Sequence, residues 1–168
     1  MNRFLTAAPL ALAAACAGTA PLGTRVYNVD NPRSAGYEVR ATLSGTAPLA
    51  VLGTPPDGAA PESVAAALRV PAKFGGGGFR LVPAVSTENR IVVAFGRVAP
   101  RQLCAGQGGQ ERPPSLVASA AFCRGPRPLA SGVMEATATG PSDPAFASSF
   151  LALFGEMLET RRVGGAPR

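Results

Sequence analysis

Three cysteines, Cys16, Cys104 and Cys123, carry the most reactive side chains of this 168-residue chain. A thiolate can attack an electrophile, ligate a metal or oxidise to a disulfide. The partners that would direct such chemistry are missing. The sequence has no His, which removes Ser-His-Asp and Cys-His catalysis, HExxH metal sites and imidazole acid–base work. Zinc favours four ligands, and a pair of thiols without imidazole falls short of that set. Lys73 is the sole lysine, and no Ser stands three residues before it to make a Ser-Lys dyad. No G-x-S-x-G elbow occurs. The run Gly75 to Gly78 lacks the Lys-Ser/Thr that follows in a phosphate-binding loop, and reads as a hinge or a tight backbone crossing. Ten carboxylates are present, and two of them could meet across a glycoside as in carbohydrate hydrolases. However, Asp57, Glu62, Glu88, Glu111, Asp143 and Glu159 fall in expected turns or helix ends, where capping and solvation occupy them. The reading is a non-catalytic protein that needs no metal and no cofactor.

An odd cysteine count in an exported chain asks for an explanation. Met1-Asn2-Arg3 is a short positive stretch, and Phe4 to Ala15 follow without a charge. Twelve apolar residues are too few for a membrane-spanning helix, which needs about twenty, and suit the apolar region of a signal peptide. The stretch ends Leu12-Ala13-Ala14-Ala15-Cys16, with Ala13 at the position where Leu is usual. This resembles the lipobox of bacterial lipoprotein precursors. The resemblance implies cleavage after Ala15 and a diacylglyceryl thioether on Cys16, with acylation of the new N-terminus. Two or more acyl chains hold a protein stably on a bilayer. The rival is ordinary signal-peptidase cleavage after Ala17, which would leave a soluble secreted or periplasmic binding domain. Ala17, rather than Asp, follows the cysteine, which by analogy with lipoprotein sorting in enteric bacteria favours the outer over the inner membrane. The expected location is therefore the cell envelope, lipid-anchored and facing the periplasm. Export would place Cys104 and Cys123 in an oxidising compartment where a disulfide persists; two buried free thiols are the alternative.

The composition limits the partners. The net charge of +6 comes from sixteen basic residues, fifteen of them Arg, against ten acidic ones. The arginines are scattered, and no basic run is interleaved with aromatics, so nucleic acid is not an expected partner. The expected partners are the membrane through the lipid, an envelope protein, or an anionic envelope surface. Apolar residues make up 46 %, but 32 of them are alanines that bury little area. Twenty Gly and seventeen Pro predict much turn and loop.

These residues are expected to sit on an α+β fold: a small, mostly antiparallel sheet with two helices packed on one face. Residues 1–15 read as signal peptide, 16–36 as lipidated cysteine and flexible tether, 37–160 as one domain and 161–168 as a basic tail. Val26 to Val29 could add a short edge strand. Tyr37 to Leu43 alternates, with Tyr37, Val39, Ala41 and Leu43 on one face, and predicts a strand joined by Ser44-Gly45-Thr46 to a neighbour over 48–53. Glu62 to Val70 predicts a helix with Pro61 in its first turn. Further strands are expected at Phe79 to Val82, Asn89 to Phe95, Ser115 to Phe122 and Leu129 to Thr139. The last element is an amphipathic helix capped by Ser142 or Asp143, with Phe146, Phe150, Phe154 and Leu158 on one stripe and Leu151 and Met157 beside it. The strand from Arg90 to Phe95, the segment Ala121 to Cys123 and the closing helix after Asp143-Pro144 together resemble small envelope lipoproteins of GC-rich proteobacteria, a likeness that brings no activity with it.

Overall fold

The computed structural model describes residues 23–31 and 36–159; the signal-peptide and tail readings and Cys16 lie outside them. Six strands form one sheet in the order β1-β6-β5-β4-β2-β3. In chain order these are β1 (Arg25–Asp30), β2 (Ala47–Leu52), β3 (Phe79–Leu81), β4 (Asn89–Phe95), β5 (Leu116–Arg124) and β6 (Arg127–Ala136). Four α-helices accompany them among the described residues: α1 (Gly36–Leu43), α2 (Pro61–Ala67), α3 (Pro100–Cys104) and α4 (Pro144–Met157).

The expected small, mostly antiparallel sheet with two helices on one face is thereby corrected. The sheet is mixed: β2 runs parallel to both β3 and β4, whereas β4, β5, β6 and β1 pair antiparallel. The parallel part arises because α2 separates β2 from β3. A helix of that kind carries the chain back across one face, so the next strand starts at the same end. The connection 82–88 then returns on the opposite face, where Val82 and Ala84 pack, and lets β4 enter on the other side of β2.

The segment Tyr37 to Leu43 is also corrected, from strand to α1. Val39 and Leu43 are buried four residues apart, while Tyr37 is 86 % exposed. The same two apolar residues satisfy a helical stripe as well as an alternating strand. Gly45, at a φ of +90°, ends the helix in the left-handed conformation that only glycine adopts without strain. Gly77 then crosses so close to the Gly45 carbonyl that a Cβ would overlap it. The glycine run is therefore a backbone crossing. Helix α2 stops at Leu68, earlier than expected, because the chain turns extended before Pro71.

The first face of the sheet holds the main core. Ile91, Val93 and Phe95 of β4 and Leu116, Ala118, Ala120 and Phe122 of β5 meet Val39, Val64, Leu68 and the α4 stripe there. Phe146, Phe150, Phe154, Met157 and Leu158 are fully buried, whereas Leu151 turns outward. Asp143 starts α4, its side chain accepting the Ala145 N–H at 2.9 Å. At the other end Asn31, just after β1, donates to the carbonyls of Glu156 and Glu159 at 2.6 and 2.8 Å, satisfying groups that the last helical turn leaves open. β1 is thus a sheet strand tied to α4, upstream of residue 37.

Candidate functional site

The second face is covered more thinly. Its cluster is Ala50, Val92, Ala94, Leu103, Cys104, Ala121 and Cys123, mostly small side chains. Small residues let α3 approach the sheet closely but bury little apolar area. Two other devices, one covalent and one polar, hold this layer instead. The first is a disulfide between Cys104, ending α3, and Cys123 on β5, with Cα atoms 5.5 Å apart and a sequence separation of 19. The spacing is ordinary for a disulfide.

The second device is Arg90, fully buried opposite Cys123. Its guanidinium donates to the carbonyls of Ala84 (2.7 Å), Ser86 (2.8 Å) and Cys104 (2.9 Å), and more loosely to Gly125 (3.2 Å) and Glu88 (3.3 Å). It therefore joins the 82–88 crossover, the end of α3 and the β5–β6 turn in one cage. A cation at the end of a helix also meets the negative end of its dipole. Burial pushes its pKa down, and the Glu88 charge opposes that shift; a guanidinium nonetheless stays charged near neutrality.

The disulfide closes a loop of about twenty residues, worth roughly 3 kcal/mol in the chain-entropy model. We expect Cys104→Ala to lose about that much stability in oxidising buffer and to converge with the unsubstituted protein once a reductant is added, as read from denaturant midpoints. Equal midpoints in oxidising buffer would show that the bond does not hold this layer.

Beside this braced layer the second face opens into a cavity of about 250 Å³ over β5, β6 and β1. Val98, Ala99, Pro100 and Leu103 form its outer wall; Val133 and the strand at Ala120 and Gly132, whose side positions face the main core, form its floor; Asn28, Arg97 and Ser131 supply the polar atoms. The wall is positioned by Ser119, whose hydroxyl donates to the Gly96 carbonyl and accepts the Val98 N–H, both at 2.9 Å. That pins the turn after β4 and aims Arg97 at β1 and β6. Arg97 pairs with Glu135, and its guanidinium lies 5.0 Å from the centre of the Tyr27 ring. Arg25 reaches the same ring at 5.7 Å. The Tyr27 hydroxyl donates to Glu135 at 2.9 Å. Burial and the bond to Glu135 raise the Tyr27 pKa, so the phenol remains a donor at neutral pH. Ser131 has no basic side chain bonded to it; the cluster offers hydrogen bonding and an apolar recess.

The carboxylates singled out in the sequence do not gather at this cavity. Asp57 accepts the Ala59 N–H, Glu88 pairs with Arg80, Glu111 accepts from Thr54, Asp143 caps α4, and Glu159 lies 3.8 Å from Lys73. Among the described residues no group of three or more His, Cys, Asp or Glu side chains could hold a metal ion. No described helix is long and apolar enough to cross a membrane. Sequence reading missed Tyr27, Asn28, Arg97, Ser131 and Glu135 because they come from two strands and a turn far apart in sequence. The antiparallel neighbours β1 and β6, and the turn beside them, unite these residues without any local motif. Comparison with family models, with curated proteins and with solved structures finds no match.

Proposed function

We propose that this protein is a cell-envelope lipoprotein, held on the membrane through lipid on Cys16, whose domain is a non-catalytic adaptor that carries a partner protein on its second face. The observation that carries the reading is the division of the cysteines: Cys104 and Cys123 share a disulfide, and the third cysteine ends the lipobox-like stretch. A disulfide that braces the fold suits an oxidising compartment. The apolar recess with polar groups at its mouth, and no nucleophile–base pair in it, suits docking. The location that follows is the periplasmic side of the envelope, with the outer membrane favoured by Ala17.

The test is the intact mass of protein isolated from membranes, with a Cys16→Ser variant beside it. The expected mass is that of residues 16–168 plus acyl chains, with membrane retention in high salt that the variant loses. Salt releases proteins held by exposed charge alone. A lipid-free chain beginning after Ala17, equally soluble in both forms, would replace the anchored adaptor with a soluble exported binding domain.

A further inference from the structure

We propose that the Cys104–Cys123 disulfide is a redox switch: a dithiol opens it, and the buried Arg90 guanidinium then holds Cys123 as a thiolate. The inference concerns the braced layer alone and depends neither on the lipid anchor nor on a docked partner.

The charge of Arg90 comes first. Among the described residues it is the only charged side chain that is buried. Buried charges are normally paired with an opposite charge, yet Arg90 bonds to backbone carbonyls and to no carboxylate. The acidic groups at this end of the sheet are engaged elsewhere, Glu88 with Arg80 and Glu38 with Arg124. The other charged residues of α3 and the β5–β6 turn, Arg101, Arg124 and Arg127, are basic and exposed. The Arg90 Nε–H is buried and has no acceptor, which is unusual for such a donor.

Position comes second. β4 and β5 pair Arg90 directly with Cys123, and facing residues of antiparallel strands have Cβ atoms about 4.5–5.5 Å apart. The same guanidinium bonds to the Cys104 carbonyl at 2.9 Å. The rest of the apolar cluster there is Ala50, Val92, Ala94, Leu103 and Ala121, so its cysteines are the only members that can become anionic. A disulfide sulfur is a poor acceptor, whereas a thiolate is a strong one. Burial raises the pKa of a thiol and a neighbouring cation lowers it. Here the cation prevails, because a thiolate turns a lone buried charge into a pair and removes net charge from the interior.

Access comes third. The bond is covered by α3, five residues long, whose N-cap Ala99 supplies no side-chain hydrogen bond. So short a helix opens locally at little cost. One thiolate of the dithiol attacks Cys104 Sγ, the S–S bond breaks, and its electron pair leaves on Cys123 Sγ. The sulfur beside Arg90 is the better leaving group, because a more acidic thiol leaves faster. The second thiol of the reductant then attacks the mixed disulfide. Cys104 leaves as a thiol, the dithiol becomes a disulfide, and the remaining proton passes to solvent. Helix α3 has then lost its covalent tie to β5, and the cavity wall at Pro100 and Leu103 is free to shift.

The experiment follows the cysteine Cβ shifts of the isotope-labelled full chain by NMR across pH, after reduction with dithiothreitol. A free thiol titrates at about 8.5. Cys123 should titrate near ~6, making it about a hundredfold or more acidic than that, while Cys104 stays at about 8.5 or above. Cys104→Ala retains Arg90 and should retain the low Cys123 value. Arg90→Gln removes the charge but keeps a donor, and should return Cys123 to about 8.5 or above. Amide exchange should quicken in α3 on reduction and stay unchanged in α4. Four results would each overturn the proposal: an ordinary or raised Cys123 titration in the reduced chain, a low value that survives Arg90→Gln, α3 exchange indifferent to reduction, or unfolding of the whole domain on reduction. If Arg90→Gln fails to fold, the unsubstituted chain and Cys104→Ala still decide the matter.

Discussion

Phe150→Ala is expected to lower unfolding free energy by about 3–5 kcal/mol, measured as a shift in denaturant midpoint at unchanged slope. The side chain is fully buried at the centre of the α4 stripe. Its ring centroid lies 4.9 Å from Phe146, 5.8 Å from Phe154 and 6.5 Å from Phe95. It thus links two turns of α4 to β4, and tilted aromatic pairs of this kind add to plain area burial. Truncation leaves a void that neighbouring rings cannot fill without leaving their rotamers. Ala118 and Ala120 of β5 contribute little bulk at this face, and the large side chains around Phe150 are already packed against one another. A domain of this size is stable by only about 5–15 kcal/mol, and such a loss would leave a substantial unfolded fraction at moderate temperature. A change under about 1 kcal/mol would mean that α4 is not docked on the sheet and that its apolar stripe is available to another surface.

That stripe was legible in the sequence because a spacing of four kept from Phe146 to Leu158, with Met157 beside it, runs longer than an ordinary strand and suits a helix. Asp143 followed by Pro144 marked its start, and β4 and β5 were legible for a similar reason. A central strand buried on both faces shows as an unbroken apolar run, as Ile91 to Phe95 does. The eight residues of α1 were ambiguous, since Val39 and Leu43 are on one side in either geometry and only the fate of Tyr37 and Ala41 decides. Gly45 held the missing signal: read as a helix stop it favours α1, whereas read as a hairpin turn it favours a strand. The parallel part of the sheet followed from α2 but needed the return of 82–88 beneath β2, a tertiary fact with no pattern of its own. Helix α3 spans five residues, too short for periodicity, and Pro100 was its one mark. The disulfide pair could be inferred by counting; the cavity could not, because its polar lining is assembled by strand order.

Arg90 was hidden most completely, since an arginine at the start of an apolar strand reads as a solvated end. Its burial is the basis of the second large prediction, that Arg90→Leu costs about 4 kcal/mol. Leucine fits the apolar neighbourhood of Cys104 and Cys123 and spares the cost of burying a cation, yet the carbonyls remain. Those of Cys104 and Gly125 are reached by fully buried bonds, while those of Ala84, Ser86 and Glu88 lie nearer the surface and can regain water. Each buried acceptor left open costs about 1–3 kcal/mol, so the two buried ones set the scale. Arg90→Lys should recover less than half, because one ammonium cannot span acceptors that a planar fork reaches together. The loss should be unevenly spread: amide exchange should quicken in 82–88, in α3 and at the β5–β6 turn before it does in α4, because Arg90 ties the second face alone. The disulfide would still hold Cys104 to β5, so the wall of the cavity should loosen at Val98 to Pro100 rather than leave altogether. Unchanged stability and unchanged exchange in Arg90→Leu would mean that the carbonyl cage is filled by water as readily as by the guanidinium. The disulfide alone would then position the wall of the candidate docking site.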